Sequence, residues 1–146
     1  MDALLFEWIT LLVRWAHIIT AIAWIGASFY FVWLDMSLEE ASPNKKNLRL
    51  QGELWAIHGG GIYEVQKYEL APPVMPKKLH WFKWEAYSTW LTGTALLVLV
   101  YYGRAQTYLV DDESFIHDPT TAVLASVGFL ISGVLGYELI VRRRNL

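Results

Sequence analysis

Two ionisable side chains, Arg14 and His17, interrupt the first apolar stretch of this sequence. They are three residues apart, so both would lie on one face of a helix. An ionisable side chain inside an apolar helix is costly to leave unpaired, which makes the pair a candidate for catalysis. His17 could ligate a haem iron, with Arg14 one turn away to pair a propionate, or it could form a proton or anion site. A hydrogen bond from His17 to a neighbouring helix is the alternative that requires no ligand.

A second set of candidates surrounds the glycine run in WAIHGGGIYEVQKY, residues 55–68. Successive backbone N–H groups can form a concavity that binds an anion, because glycine permits the mixed dihedral angles that it needs. A hinge between a surface helix and an extended segment is the alternative. The spacing does not match a nucleotide-binding loop. The candidates for binding an anionic substrate here are His58, Gly59, Gly60, Gly61, Tyr63 and Lys67.

Glu85 is a further candidate for substrate binding. It lies just inside a group of Trp and Lys residues, where a carboxylate needs a partner that Lys78 or another helix could supply. The other histidines do not share a metal-ligand spacing such as His-x-x-x-His, so the sequence predicts no zinc site.

Three apolar stretches without Asp, Glu, Lys or Arg must position these candidates: 18–34, 86–103 and 120–137. A bilayer core of about 30 Å takes about 20 helical residues, and interfacial residues extend each stretch to that length. The sequence therefore predicts an all-α integral membrane protein, a single membrane domain over 1–146. A short amphipathic helix is predicted over 47–58, because Leu50, Leu54 and Ile57 recur at helical spacing. The predicted order is a first span over about 4–34, a loop over 35–78 with a Gly- and Pro-rich segment, a second span over 79–103, a loop over 104–119 and a third span over 120–141.

The distribution of Lys and Arg predicts the orientation of these spans. Seven of the twelve basic residues lie in 35–85, and three more end the chain: Arg142, Arg143 and Arg144. The loop over 104–119 has Arg104 against four acidic residues: Asp111, Asp112, Glu113 and Asp118. Because basic loops are retained in the cytoplasm, the amino terminus is predicted outside and the long loop and carboxyl terminus inside.

Composition limits the partners and cofactors. A net charge of −2 argues against a nucleic-acid partner, and the lipid bilayer is the expected surrounding. The absence of cysteine excludes disulfides, iron–sulfur clusters and covalently attached haem c, whereas haem b at His17 stays open. Small residues four apart in the third span would admit a partner helix, a second copy or another helix of the same chain: Gly128, Ser132 and Gly136.

Three motifs resemble the amino-terminal part of the membrane-bound urate oxidase family: RWAHIITAIAWIGASFYFVWLD (14–35), ELWAIHGGGIYEVQKY (53–68) and LHWFKWEAYSTWLTGTALLVLVYY (79–102). The resemblance implies a bacterial inner-membrane protein that oxidises urate to 5-hydroxyisourate and passes the electrons to a cytochrome c. With the orientation predicted from Lys and Arg, the amino terminus would lie in the periplasm and the carboxyl terminus in the cytoplasm. Arg14, His17, the residues around the glycine run and the segment from His80 to Glu85 coincide with the family's motifs.

Members of that family typically carry further helices and a cytochrome c domain. These 146 residues contain no Cys-x-x-Cys-His motif, so a truncated product, one half of a split protein and a shortened relative are all open. The first functional hypothesis is a part of a urate-oxidising system, in which Arg14 or the segment from His58 to Lys67 binds the urate anion. The second is a non-catalytic membrane subunit for haem binding or for assembly with a partner.

Overall fold

The computed structural model describes residues 2–111, 113 and 115–144. Asp112, used above for the orientation, lies outside the described residues, as do the side chains of Lys46 and Arg144. The chain forms two compact units: Met1–Ile18 with Trp90–Leu146, and Ile19–Thr89. The single membrane domain over 1–146 stays a prediction.

Helix α1, Ala3–Met36, is a continuous helix of 34 residues. At about 1.5 Å per residue it is about 51 Å long, more than the roughly 30 Å of a bilayer core. Most of its large apolar side chains are exposed, including Ile22 and Phe29, while Leu34 near its end is buried. This helix is long and apolar enough to cross a membrane.

Helix α4, Pro119–Arg144, is the second helix of that kind among the described residues. Two shorter helices precede it, α2, Trp84–Leu96, and α3, Ala105–Tyr108. Asp118 caps the start of α4, since the backbone N–H and the hydroxyl of Thr121 both donate to Asp118 Oδ2 at 2.7 Å. These hydrogen bonds, the one from the hydroxyl first, lower the pKa of Asp118. Pro119 occupies the first turn, where its missing N–H leaves no bond unmade.

The predicted middle span is wrong, and with it the count of three transmembrane helices. Helix α2 is Trp84–Leu96, only 13 residues long, and a π-helical segment, Leu97–Tyr102, follows it. The five residues from 79 to 83, which were predicted to begin the span, do not join the helix. In that irregular segment the Phe82 ring packs edge-on against Phe31, with 5.0 Å between ring centroids. Within the part of the chain that the structure describes there are therefore two candidate membrane helices, α1 and α4, rather than three.

The all-α class and the amphipathic helix over 47–58 are also wrong, because a β-hairpin occupies this region. Strand β1, Leu50–His58, pairs antiparallel with β2, Gly61–Tyr68. Gly59 and Gly60 form the connecting turn with φ of 56° and 80°. A two-residue turn with positive φ at both positions matches the twist of paired strands, and glycine adopts it without strain. The spacing of the Leu and Ile residues fits a helix, but the glycine turn favours the hairpin.

A buried carboxylate connects the base of this hairpin to the segment that precedes it. Glu53 is 5% exposed and accepts hydrogen bonds from Lys45 Nζ at 2.5 Å, from the Ser42 backbone N–H at 3.1 Å and from the Ser42 hydroxyl. Lys45 also pairs with Glu64 on β2. The hydrogen bonds from Lys45 first and Ser42 second lower the pKa of Glu53. A 3₁₀ helix, Pro43–Leu48, brings Ser42 and Lys45 to the strand.

Candidate functional site

Two arginines line one cavity in the unit that contains both chain ends. The cavity has a volume of about 370 Å³, within the range of about 300–1,000 Å³ that is usual for small-molecule sites. Its walls come from the first turns of α1 and from the chain that follows α2. We call it the two-arginine cavity, and its lining includes Phe6, Glu7, Thr10, Arg14, Val100, Arg104 and Tyr108.

The contribution of α1 follows from helical periodicity. Phe6, Thr10 and Arg14 are four residues apart, so they stack on one face of the helix. Thr10 is 8% exposed, and its hydroxyl donates to the Phe6 carbonyl at 2.8 Å, which satisfies this buried group within the helix. Phe6 and Arg14 therefore give this face of the helix one aromatic ring and one positive charge toward the cavity.

Arg104 reaches the cavity because the chain turns sharply after the π-helical segment. The Gly103 N–H donates to the Val98 carbonyl at 2.8 Å, a bond spanning five residues as in a π-helix. A Cβ at Gly103 would lie only 2.5 Å from the Leu99 carbonyl oxygen, so only glycine fits. Arg104 then precedes the short helix α3, Ala105–Tyr108, and Tyr108 completes the wall.

The electrostatics of the cavity favour a small anion. The Arg104 guanidinium carbon lies 4.7 Å from the centre of the Phe6 ring, in range of a cation–π interaction. Neither Arg14 nor Arg104 forms an ion pair with any of the residues that the structure describes. Glu7 is the one carboxylate in this lining, against two permanent positive charges. Guanidinium groups bind two adjacent acceptor atoms at once, which suits a flat anion with neighbouring oxygen and nitrogen atoms.

The structure separates the two catalytic candidates. Arg14 lines the cavity, whereas His17 Nδ1 shares a hydrogen bond of 3.0 Å with Thr92 Oγ1 on α2. Gly93 allows this approach, since a Cβ there would lie 3.1 Å from His17 Cε1. This contact corresponds to the alternative in which His17 bonds to a neighbouring helix. Ligation of haem b by His17 stays a prediction.

The candidates around the glycine run all belong to the β-hairpin of the other unit. Lys67 pairs with Asp35 at 2.7 Å, so its charge is already balanced there. Gly59 and Gly60 are explained by the turn, and Gly61 begins β2. His58 and Tyr63 line a second cavity of about 430 Å³ with Tyr30 and Trp33 of α1. The assignment of these residues to substrate binding stays a prediction.

The remaining candidates are Glu85 in α2 and the small residues of α4. Glu85, in the first turn of α2, has a buried Oε2 without a hydrogen-bond partner among the described residues, and the structure offers no account of it. Ser132 donates to the Gly128 carbonyl within α4 at 2.7 Å. A partner helix at Gly128, Ser132 and Gly136 stays a prediction.

Sequence reasoning missed the other half of the two-arginine cavity. Arg104 was used only to predict the orientation of the spans, as the one basic residue of the loop over 104–119. Phe6 and Tyr108 were not identified as candidates. One signal was available in the sequence: Arg104 directly follows Gly103 at the end of an apolar stretch. The predicted orientation puts this end of the stretch on the same outer side of the membrane as the start of α1. No periodicity connects residue 104 to residue 14, so only the fold shows that they share a cavity.

Comparison with known proteins identifies a family. Residues 3–145 match the family described as Urate oxidase N-terminal, nearly the full length of the chain. No curated protein and no solved structure matches. The resemblance inferred from the three motifs is thus confirmed, and it connects the chain with a urate-related function. The chain belongs to the urate oxidase N-terminal family.

Proposed function

We propose that this chain is the urate-binding part of a bacterial inner-membrane system that oxidises urate to 5-hydroxyisourate and passes the electrons to a cytochrome c. The observation that carries the proposal is the pair Arg14 and Arg104 in the lining of one cavity. Membership of the urate oxidase N-terminal family supports urate as the ligand. Urate is a flat monoanion at neutral pH, and its adjacent oxygen and nitrogen atoms suit the fork of a guanidinium group.

The reaction requires an external electron acceptor and one water molecule. Urate loses two electrons and two protons and adds one water molecule, its hydroxyl at C5 and its other hydrogen on a ring nitrogen, which gives 5-hydroxyisourate. Two ferricytochrome c molecules each accept one electron. In this proposal Arg14 and Arg104 hold the urate anion, and the Phe6 ring beside Arg104 restricts where the flat substrate lies.

The distribution of charge around α1 supports the side of the membrane on which this happens. The segment that follows α1 is rich in Lys and Arg, which favours its retention in the cytoplasm. The amino-terminal end of α1 then lies in the periplasm, and Phe6, Thr10 and Arg14 lie toward that end. A periplasmic cytochrome c could reach the cavity from that side.

Binding and turnover of urate test this proposal separately. Titration of urate into the purified full chain measures the dissociation constant, and urate-dependent reduction of ferricytochrome c by membranes containing the chain measures turnover. Each lost hydrogen bond to a charged group costs about 1.5–3 kcal/mol, so Arg14→Gln and Arg104→Gln should each weaken binding about 10- to 100-fold. The control is Arg142→Gln, because Arg142 is exposed on α4 and pairs with Glu138 one turn away.

Unchanged urate affinity in both cavity variants would remove the two-arginine cavity as the substrate site. Wild-type binding without any cytochrome c reduction would leave the chain as a urate-binding subunit and exclude catalysis by this chain alone.

A further inference from the structure

The β-hairpin changes from charged to apolar along its length. Its base carries Glu53, which pairs with Lys45 of the preceding 3₁₀ helix, on one face and Lys67 on the other. At the tip, Ile57 and Ile62 face each other across the strands and are 79% and 72% exposed. Exposed apolar side chains that are grouped in this way mark a surface that contacts something other than water.

The contacts of the hairpin with α1 show in which direction the tip points. At the base, Lys67 pairs with Asp35 near the end of α1. At the tip, His58 and Tyr63 share a cavity with Trp33 and Tyr30. Tyr30 precedes Asp35 by five residues, or about 7.5 Å along the helix axis. The hairpin therefore runs back beside α1, from its polar end toward its apolar middle.

The segment before α2 contacts α1 near Tyr30 and Trp33, and its residue types are typical of a membrane interface. Phe82 packs against Phe31, and Lys83 lies 6.0 Å from the centre of the Trp84 ring. Aromatic rings favour the interface between lipid and water, and lysines near it attract anionic lipid head groups. Lys77 and Lys78 add charge just upstream.

We propose that the tip of the β-hairpin enters the lipid interface beside α1, with Ile57 and Ile62 in contact with lipid. The inference rests on the proposal that α1 crosses the membrane. Interfacial elements typically bury apolar side chains about 5–10 Å deep, which matches the distance over which the hairpin runs back. Water in the interface can form hydrogen bonds with the unpaired backbone groups at the outer edges of the two strands, whereas the hydrocarbon core could not. The charged base, with Lys45 and Glu53, stays in water.

Site-directed spin labelling tests this depth directly, because the chain has no cysteine of its own. Single-cysteine variants Ile57→Cys and Ile62→Cys carry a nitroxide, and the full chain is placed in vesicles of phosphatidylethanolamine and phosphatidylglycerol. Gln51→Cys is the matched control in water, since Gln51 is exposed at the base of the same strand. Ile22→Cys is the control in lipid, since Ile22 is 65% exposed in the middle of α1.

Accessibility to oxygen, which concentrates in lipid, is compared with accessibility to a water-soluble nickel complex. We expect the ratio of oxygen to nickel accessibility at 57 and 62 to exceed that at 51 and to approach that at 22. Equal ratios at 57, 62 and 51 would overturn the inference while α1 remains in the membrane. Shielding of 57 and 62 from both reagents would also overturn it, in favour of a protein contact. A low ratio at 22 would contradict the membrane proposal for α1 and the inference together.

Discussion

The Arg104 guanidinium carbon lies 4.7 Å from the centre of the Phe6 ring, across a cavity wall built from two distant parts of the sequence. The ring is negative on its face, so it favours the guanidinium in this position without neutralising its charge. A carboxylate in the same place would cancel the charge that an anionic substrate needs.

Phe6→Leu tests the contribution of this ring. The substitution keeps an apolar side chain but removes the cation–π interaction, which is worth about 0.5–1 kcal/mol at exposed sites. The KM for urate in the cytochrome c assay should rise about two- to fivefold. Phe29→Leu is the control, because Phe29 is exposed on α1 in the other unit. A KM that changes equally in both variants would contradict a specific role for Phe6.

Gly103→Ala tests the turn that positions Arg104. The new Cβ would lie 2.5 Å from the Leu99 carbonyl oxygen, and the backbone would have to shift. We expect a lower midpoint of thermal unfolding by circular dichroism, with a cost on the order of 1–3 kcal/mol, and weaker urate binding. Gly133→Ala in α4 is the matched control, because its Cβ would meet nothing within 4 Å among the described residues. Alanine is favoured over glycine in a helix by about 1 kcal/mol, so this control should not lose stability.

Gly59→Asn and Gly59→Val test the hairpin turn. Asparagine tolerates the positive φ of the first turn position, whereas a β-branched residue does not. We expect Gly59→Val to cost about 1–2 kcal/mol of hairpin stability and Gly59→Asn to cost much less. The rate of tryptic cleavage after Arg49 and Lys67 measures this, since a paired strand resists the protease. Equal cleavage rates in the two variants would argue against the turn.

The lowered pKa of Glu53 predicts that the β-hairpin loses stability in acid. This pKa is lowered from 4.5 by hydrogen bonds from Lys45 and then Ser42, so the ionised form is favoured in the folded state. The stabilisation is complete above the unfolded-state pKa and is lost as the pH falls through the lower, folded-state pKa. Unfolding midpoints measured from about pH 6 to about pH 3 should therefore fall more steeply in the wild type than in Glu53→Gln. Glu40→Gln, at an exposed position, should keep the wild-type slope.

The sequence was sufficient for the features that depend on nearby residues. The helix from Ala3 to Met36 and the apolar helix after Pro119 follow from long stretches without charge, and the family follows from contiguous motifs. The hairpin was missed because Leu50, Leu54 and Ile57 recur at helical spacing, whereas the signal for the two strands is the glycine pair at their turn. The second arginine was missed because its place depends on a π-helical segment and on the sterics of Gly103, neither of which has a periodic signal.

The π-helical segment also makes the cavity sensitive to the number of residues in the chain. In a helix each residue turns the chain by about 100°, so inserting one residue between 97 and 102 would rotate Arg104 by about that angle relative to the preceding turn of helix. An inserted apolar residue would leave the apolar character of the segment unchanged. The guanidinium would nevertheless leave the wall that it shares with Phe6 and Arg14. Insertions in this segment should therefore affect urate binding more than substitutions of one apolar residue by another.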